Sequence, residues 1–304
     1  AKEVILASKT IAIRDSFSST LTLDTTGTIY QAEDDDGITY YYAGAPTDNW
    51  VYFGGFYWRI IRINGDGTIR LIYNGTSTAT TGKSTQLSNT SAFNTSYSDN
   101  MYVGFKYTSG SIHGTGTDSA ILIALNTWYQ NNLTEVVDQI DTNAGFCNDR
   151  YPSTSTTTSN GSGGTGATVT YYGAYIRLIT NKAPTFKCQN DSDLYTTSGS
   201  DQGNGSLTYP IGLITADEVV YAGSGYGNSF ANSSYYLYTN SGYWTISPAR
   251  HNNDSWVFYV YSNGQLTGTS VNNARGVRPV INLKADVQLT GIGTTDAPYR
   301  VEGV

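Results

Sequence analysis

Along the first third of the chain, apolar and polar residues alternate with the period of two that puts successive side chains on opposite faces of a strand. Ile5, Ile11 and Ile13, then Leu21 and Leu23, then Ile29-Tyr30 after the turn Thr26-Gly27, predict short N-terminal strands. Beyond the acidic turn Glu33-Asp34-Asp35-Asp36-Gly37 the pattern resumes from Ile38 to Tyr42 and from Trp50 to Ile63. Asn64-Gly65-Asp66-Gly67 reads as a hairpin turn, where glycine supplies the positive φ of a tight reversal, with a return strand from Thr68 to Tyr73. Strands return late in the chain: Tyr235 to Tyr238, Tyr243 to Ile246, Ser255 to Tyr261, a turn at Asn263-Gly264, then Gly276 to Leu283.

Helical spacing is clearest from Thr117 to Leu133. There Thr117 or Asp118 can cap, and Ile121, Leu122, Leu125, Trp128, Tyr129 and Leu133 share one side. A shorter helix is expected from Thr215 to Tyr221, with Thr215 as cap and Glu218 as its capping-box partner. Residues 74–100 and 152–168 are Ser-, Thr-, Asn- and Gly-rich without periodicity and read as loops or surface insertions. The expectation is an α+β fold with short antiparallel strands, one long helix and extensive irregular loops. Residues 1–33 form an N-terminal strand segment suited to assembly or linkage, and residues 34–304 form the binding domain.

Composition narrows the function classes. Only 13% of the residues are charged while 26 are Tyr, so solubility rests on hydroxyls and amides. A net charge of -7 with 17 basic residues argues against a nucleic-acid surface, which needs clustered Lys and Arg to displace phosphate counterions. There is no apolar run near the length of a membrane span, and the first residue is Ala, not Met. The expectation is a secreted ectodomain whose signal or anchor has been removed. Cys147 and Cys188 suffice for one bridge in an oxidising compartment, contributing roughly 4 kcal/mol, or are two separate buried thiols.

The search for chemistry gives mostly exclusions. Two histidines, His113 and His251, cannot build a multi-imidazole site, and no Cys-x-x-Cys, His-Glu-x-x-His or Gly-x-Ser-x-Gly pattern occurs. Asp217-Glu218 is an adjacent acidic pair, but neighbours on a helix point apart, so the pair is better placed to meet the helix dipole than to flank a glycosidic bond. Oxygen-rich turns at Asp34, Asp35 and Asp36 and at Asn190, Asp191 and Asp193 leave calcium open, without EF-hand spacing; solvated turns are the favoured account, and no cofactor is expected.

The segment from Trp244 to Asn273 differs in kind. It concentrates Arg250, His251, Asn252, Asn253, Asp254, Trp256, Tyr259, Tyr261, Asn263, Asn272 and Asn273 around two strands and their loops. Aromatic rings give contact area at low entropy cost, and Asn supplies adaptable hydrogen bonding. Alternation puts Val257, Tyr259 and Tyr261 on one face and Trp256, Phe258 and Val260 on the other, and one of these faces belongs to the core. The reading is a non-catalytic recognition domain for a protein or glycan on a host, phage or neighbouring cell. The competing one is a pilus or filament subunit that self-assembles through its N-terminal strand.

Several segments together resemble a family of bacterial surface proteins, common in Firmicutes, with a domain of unknown function related to the formylglycine-generating-enzyme branch of the C-type-lectin-like fold. They are the runs from Tyr57 to Gly67, Phe146 to Arg150, Gly212 to Glu218, Tyr243 to Pro248 and Gly276 to Ile281. The resemblance runs from about residue 38 to the end. It implies a C-type-lectin-like scaffold on the bacterial cell surface, with Trp244, Arg278 and Pro279 as scaffold residues and the C-terminal loops displayed. In some relatives that surface is diversified by retroelements. The absence of any Cys after position 188 departs from the enzymes' C-terminal cysteine pair and removes their chemistry.

Overall fold

The computed structural model describes residues 1–78, 81–154, 163–199 and 203–304; residues 79–80 and 155–162, within the stretches expected to be loops, lie outside the described residues. The first elements are α1 (Lys2–Leu6), β1 (Thr10–Ile13), β2 (Thr28–Asp34), β3 (Gly37–Tyr41), β4 (Trp50–Phe53), β5 (Phe56–Ile63) and β6 (Ile69–Tyr73). Among the described residues these strands build a nine-stranded sheet with Val280–Leu283, Leu289–Thr290 and Tyr299–Val301. Its path is β1, β2, β3, β5, β4, then the two C-terminal strands, and β6 joins the other edge of β5 and carries Val280–Leu283. β1 pairs in parallel with β2, whereas β2–β3, β4–β5 and β5–β6 are antiparallel.

The hairpin between β5 and β6 turns at Asn64-Gly65-Asp66-Gly67 as its sequence requires. Gly67, at φ 89°, donates to the Asn64 carbonyl at 2.9 Å. The register shifts between Ile60 and Arg62, and this irregularity lets both Ile60 and Ile61 enter the core while Arg62 becomes the partner of Arg70.

A four-stranded sheet runs Thr170–Tyr171, Tyr243–Asn252, Asp254–Val260, Leu266–Ser270. Between the sheets lies a continuous core in which Trp58, Ile60, Leu71, Trp244, Ile246 and Phe258 are fully buried. α2 (Ala120–Asn132) packs into it through Ile121, Leu122, Leu125 and Tyr129, and Trp128 meets Phe56, Trp58 and Tyr73 edge to face or tilted.

The expected α+β, C-type-lectin-like architecture with one long helix is not what forms. Strand makes up 28% and helix 18%, and among the described residues there are several sheets with only short helices. The long helix is shortened at its start because Thr117–Asp118 pairs with Lys106–Tyr107 as strand, so Ser119 becomes the N-cap and its hydroxyl accepts from Leu122 N at 3.3 Å. After Leu133 the chain tightens into a 3₁₀ stretch, Thr134–Gln139. Ile5 sits in α1, not a strand, and is fully buried, while Tyr235–Tyr238 is a turn closed by Tyr238 N to the Tyr235 carbonyl at 3.0 Å. The shorter helix, Ala216–Ala222, forms with Thr215 as cap and the complete capping box to Glu218.

Candidate functional site

A cleft of about 600 Å³ opens between the β5–β6 hairpin, the start of the helix Ala216–Ala222 and the segment 185–191. β5 and β6 supply Arg62 and Arg70; the helix supplies Asp217 and Glu218. Glu218 Oε1 lies 2.6 Å from Arg70 Nε and 3.2 Å from Arg62 Nε, while Oε2 accepts the Thr215 amide at 2.9 Å. Arg62 also reaches Asp34 at 2.5 Å, and Asp34 Oδ2 accepts Gly65 N at 2.9 Å, which locks the acidic turn onto the hairpin turn. Burial alone would raise the Glu218 carboxyl, but the guanidiniums of Arg70 and Arg62 outweigh it and hold the group below its ordinary range. It stands as a buried anion rather than a proton donor.

A second ion cluster closes one wall. Arg177 grips Asp217 through two parallel contacts of 2.7 Å and meets Asp149 Oδ2 at 2.7 Å. Desolvation pulls the Arg177 proton affinity down, but Asp217 and Asp149 reverse this and raise it. Arg177 rides on a π-helical turn, Ile176–Thr180, and Asp149 holds φ 53°, a left-handed conformation rare outside glycine. Cys147 and Cys188 are bridged, and the Cys188 amide donates to Asp35 Oδ2 at 2.8 Å, so the bridge fixes the cleft mouth. Asp193, which feels the charge of the cleft residue Asp149, accepts the Arg150 amide at 2.9 Å, and burial, helped by Asp149 and opposed by Arg150, pushes its carboxyl up to about 7.

The two acidic turns weighed as calcium ligands lie near each other, since Asp35 feels the charge of Asp191. Asp34 is committed to Arg62, and Asn190 caps its own turn by accepting Ser192 N at 3.1 Å. Among the described residues no group of three or more His, Cys, Asp or Glu side chains is arranged to hold a metal ion.

The expected recognition residues do not form one patch. Asn252, Asn253 (φ 66°) and Asp254 turn one end of the hairpin Tyr243–Val260, while Tyr261 and Asn263 lie at the other end, a strand length of about 20 Å away. At the first end Arg250 stacks over Trp256 at 4.3 Å to the ring centroid, and Asn272 and Asn273 are exposed nearby, after the strand that pairs with Trp256. His251 is fully buried, its Nδ1 sharing a 2.9 Å hydrogen bond with Ser255 Oγ, and that hydroxyl donates to the Asp99 carbonyl at 2.7 Å.

At the second end Tyr259 is only 6% exposed and Tyr261 is 46% exposed. Together with Thr90, Ser241, Ser262 and Arg275 they line an open groove of about 300 Å³, with the Arg275 guanidinium 4.9 Å over the Tyr259 ring. Arg275 escapes a reading based on Tyr, Trp and Asn density. So do Arg62, Arg70 and Arg177, although cations inside apolar runs in a chain this poor in charge are themselves a signal, since buried charges demand partners.

A family model described as a Domain of unknown function (DUF6273) matches residues 185–285, a span that includes the helix Ala216–Ala222 and the hairpin Tyr243–Val260. No curated protein and no solved structure matches the chain. Among the described residues no helix is long and apolar enough to cross a membrane.

Proposed function

We propose that the chain is a non-catalytic ligand-binding domain displayed outside a bacterial cell, with the Tyr259–Tyr261–Arg275 groove as its recognition centre. The observation that carries the reading is the exposed Tyr261 ring beside a guanidinium and the hydroxyls of Thr90, Ser241 and Ser262. An aromatic platform with surrounding donors suits a saccharide, whose ring stacks while its hydroxyls are bonded. The Cys147–Cys188 bridge and the low charge content support an oxidising, extracellular setting. The test is a glycan microarray probed with the intact chain and with Tyr261→Ala. Binding that falls at least tenfold with unchanged melting temperature supports the groove, and equal binding by the variant removes it.

A second reading, assembly through the N-terminal strand, is favoured by one feature. β1 is the outermost strand of the large sheet and exposes Ile11 (48%) and Ile13 (76%). Ile13→Lys is the informative variant, because truncation would also strip Ile5 from the core. Polymers formed by the wild type and lost in the variant support assembly; a wild type that stays monomeric at high concentration excludes it.

A further inference from the structure

The charged cleft lies apart from the aromatic groove, and its charges do not balance. The three arginines are neutralised by Asp34, Asp149, Asp217 and Glu218. Lys187 on the rim is engaged by Glu33 at 3.4 Å. Asp35, Asp36, Asp66 and Asp191 line the same cleft without a cation in the ion pairs of the described residues. Burial, then Asp66, Asp34 and Asp35, push the Asp36 carboxyl up against the opposing charge of Arg62, and burial, with Asp191 and Asp34, pushes Asp35 up against the Cys188 amide and the charge of Lys187.

A second observation is independent of those carboxylates. Asn64 is 7% exposed and lines the cleft, and its Oδ1 is buried with no hydrogen-bond donor. Its Nδ2 donates to Thr68 Oγ1 at 2.8 Å and to Asn282 Oδ1 at 3.2 Å, and the Thr68 hydroxyl spends its proton on Asp66 at 2.6 Å. A buried acceptor left without a donor costs about 1–3 kcal/mol unless a ligand supplies one.

We propose that this cleft is a second binding site, which takes the ammonium group of a lysine-bearing peptide between Asn64 Oδ1 and the carboxylates of Asp36, Asp66 and Asp191. An organic cation fits better than a metal ion, because among the described residues no three acidic side chains are arranged to ligate a metal, whereas an ammonium group needs one acceptor and is held otherwise by the charge of the carboxylates around it. An ammonium group also brings the hydrogen-bond donors that Asn64 Oδ1 lacks.

The experiment is isothermal titration of the intact chain at low ionic strength with tetralysine, with tetraglutamate and Ca²⁺ as separate titrants. Two double variants accompany it: Asp36→Asn with Asp191→Asn, and Asp286→Asn with Asp296→Asn. The latter makes the same change in net charge at exposed positions outside the cleft. The expected result is one tetralysine per chain, at least tenfold weaker in the cleft variant and unchanged in the control. Equal weakening in both variants, no tetralysine binding, tetraglutamate binding as tight as tetralysine, or a Ca²⁺ response lost in the cleft variant would each overturn the proposal. None of these outcomes bears on the Tyr261 groove.

Discussion

Arg62 and Arg70 are register partners across β5 and β6, two like charges side by side in a sheet, and the single oxygen Glu218 Oε1 contacts both. Opposed like charges destabilise a strand pair, so the sheet tolerates them here because the helix start delivers a carboxylate between them. Glu218→Gln should therefore lower stability by about 3–5 kcal/mol, the usual result of leaving buried charge unpaired. The urea midpoint measures it. The sign with pH follows: the folded-state proton affinity of Glu218 is depressed, so its contribution is present above the ordinary carboxylate range and is lost as pH falls through the folded value.

Gly65 brings the hairpin turn against the acidic turn so closely that an added methyl would collide with Asp34 Oδ1 and the backbone of Asp36 and Gly37. Gly65→Ala should cost about 1–3 kcal/mol through overpacking, seen as a lower melting temperature with the fold's circular dichroism retained.

Asp193 carries the opposite pH signature to Glu218. Its folded value is raised to about 7, above that of the unfolded chain, so the unfolded state ionises first. Stability is fully present below the unfolded carboxylate value and declines as pH rises toward 7. Asp193→Asn keeps an acceptor for the Arg150 amide, and denaturation midpoints recorded from pH 4 to 7 should lose that downward slope.

The bridge between Cys147 and Cys188 closes a separation of 41 residues. Replacing both with Ser should cost about 4 kcal/mol on the chain-entropy account. Thermal unfolding of the wild type under reducing conditions should approach that of the double variant, and identical curves with and without reductant for the wild type would argue against an intact bridge.

Local chemistry was legible in the sequence where neighbours determine it. The turn 64–67 needs glycine at positive φ, the capping box needs only Thr215 and Glu218, and the face of α2 follows from spacing. What escaped depends on distant partners. Alternation indicates which side of a strand a residue occupies, but not whether that side is covered, so Tyr259 and His251 count among the expected recognition residues although packing encloses both. The cleft escaped for the same reason, since Arg62 and Glu218 meet across 156 positions and Arg177 and Asp217 across 40. The expected long helix is shortened because Thr117 and Asp118 find a strand partner in Lys106 and Tyr107, a pairing that spacing cannot reveal.

The most direct test of the binding account is the glycan microarray with wild type, Tyr261→Ala and Arg275→Ala side by side, each checked for an unchanged melting temperature. The account predicts that the wild type retains at least one saccharide and that each variant loses it by tenfold or more. Undiminished binding in both variants, or no saccharide bound by the wild type, would contradict it.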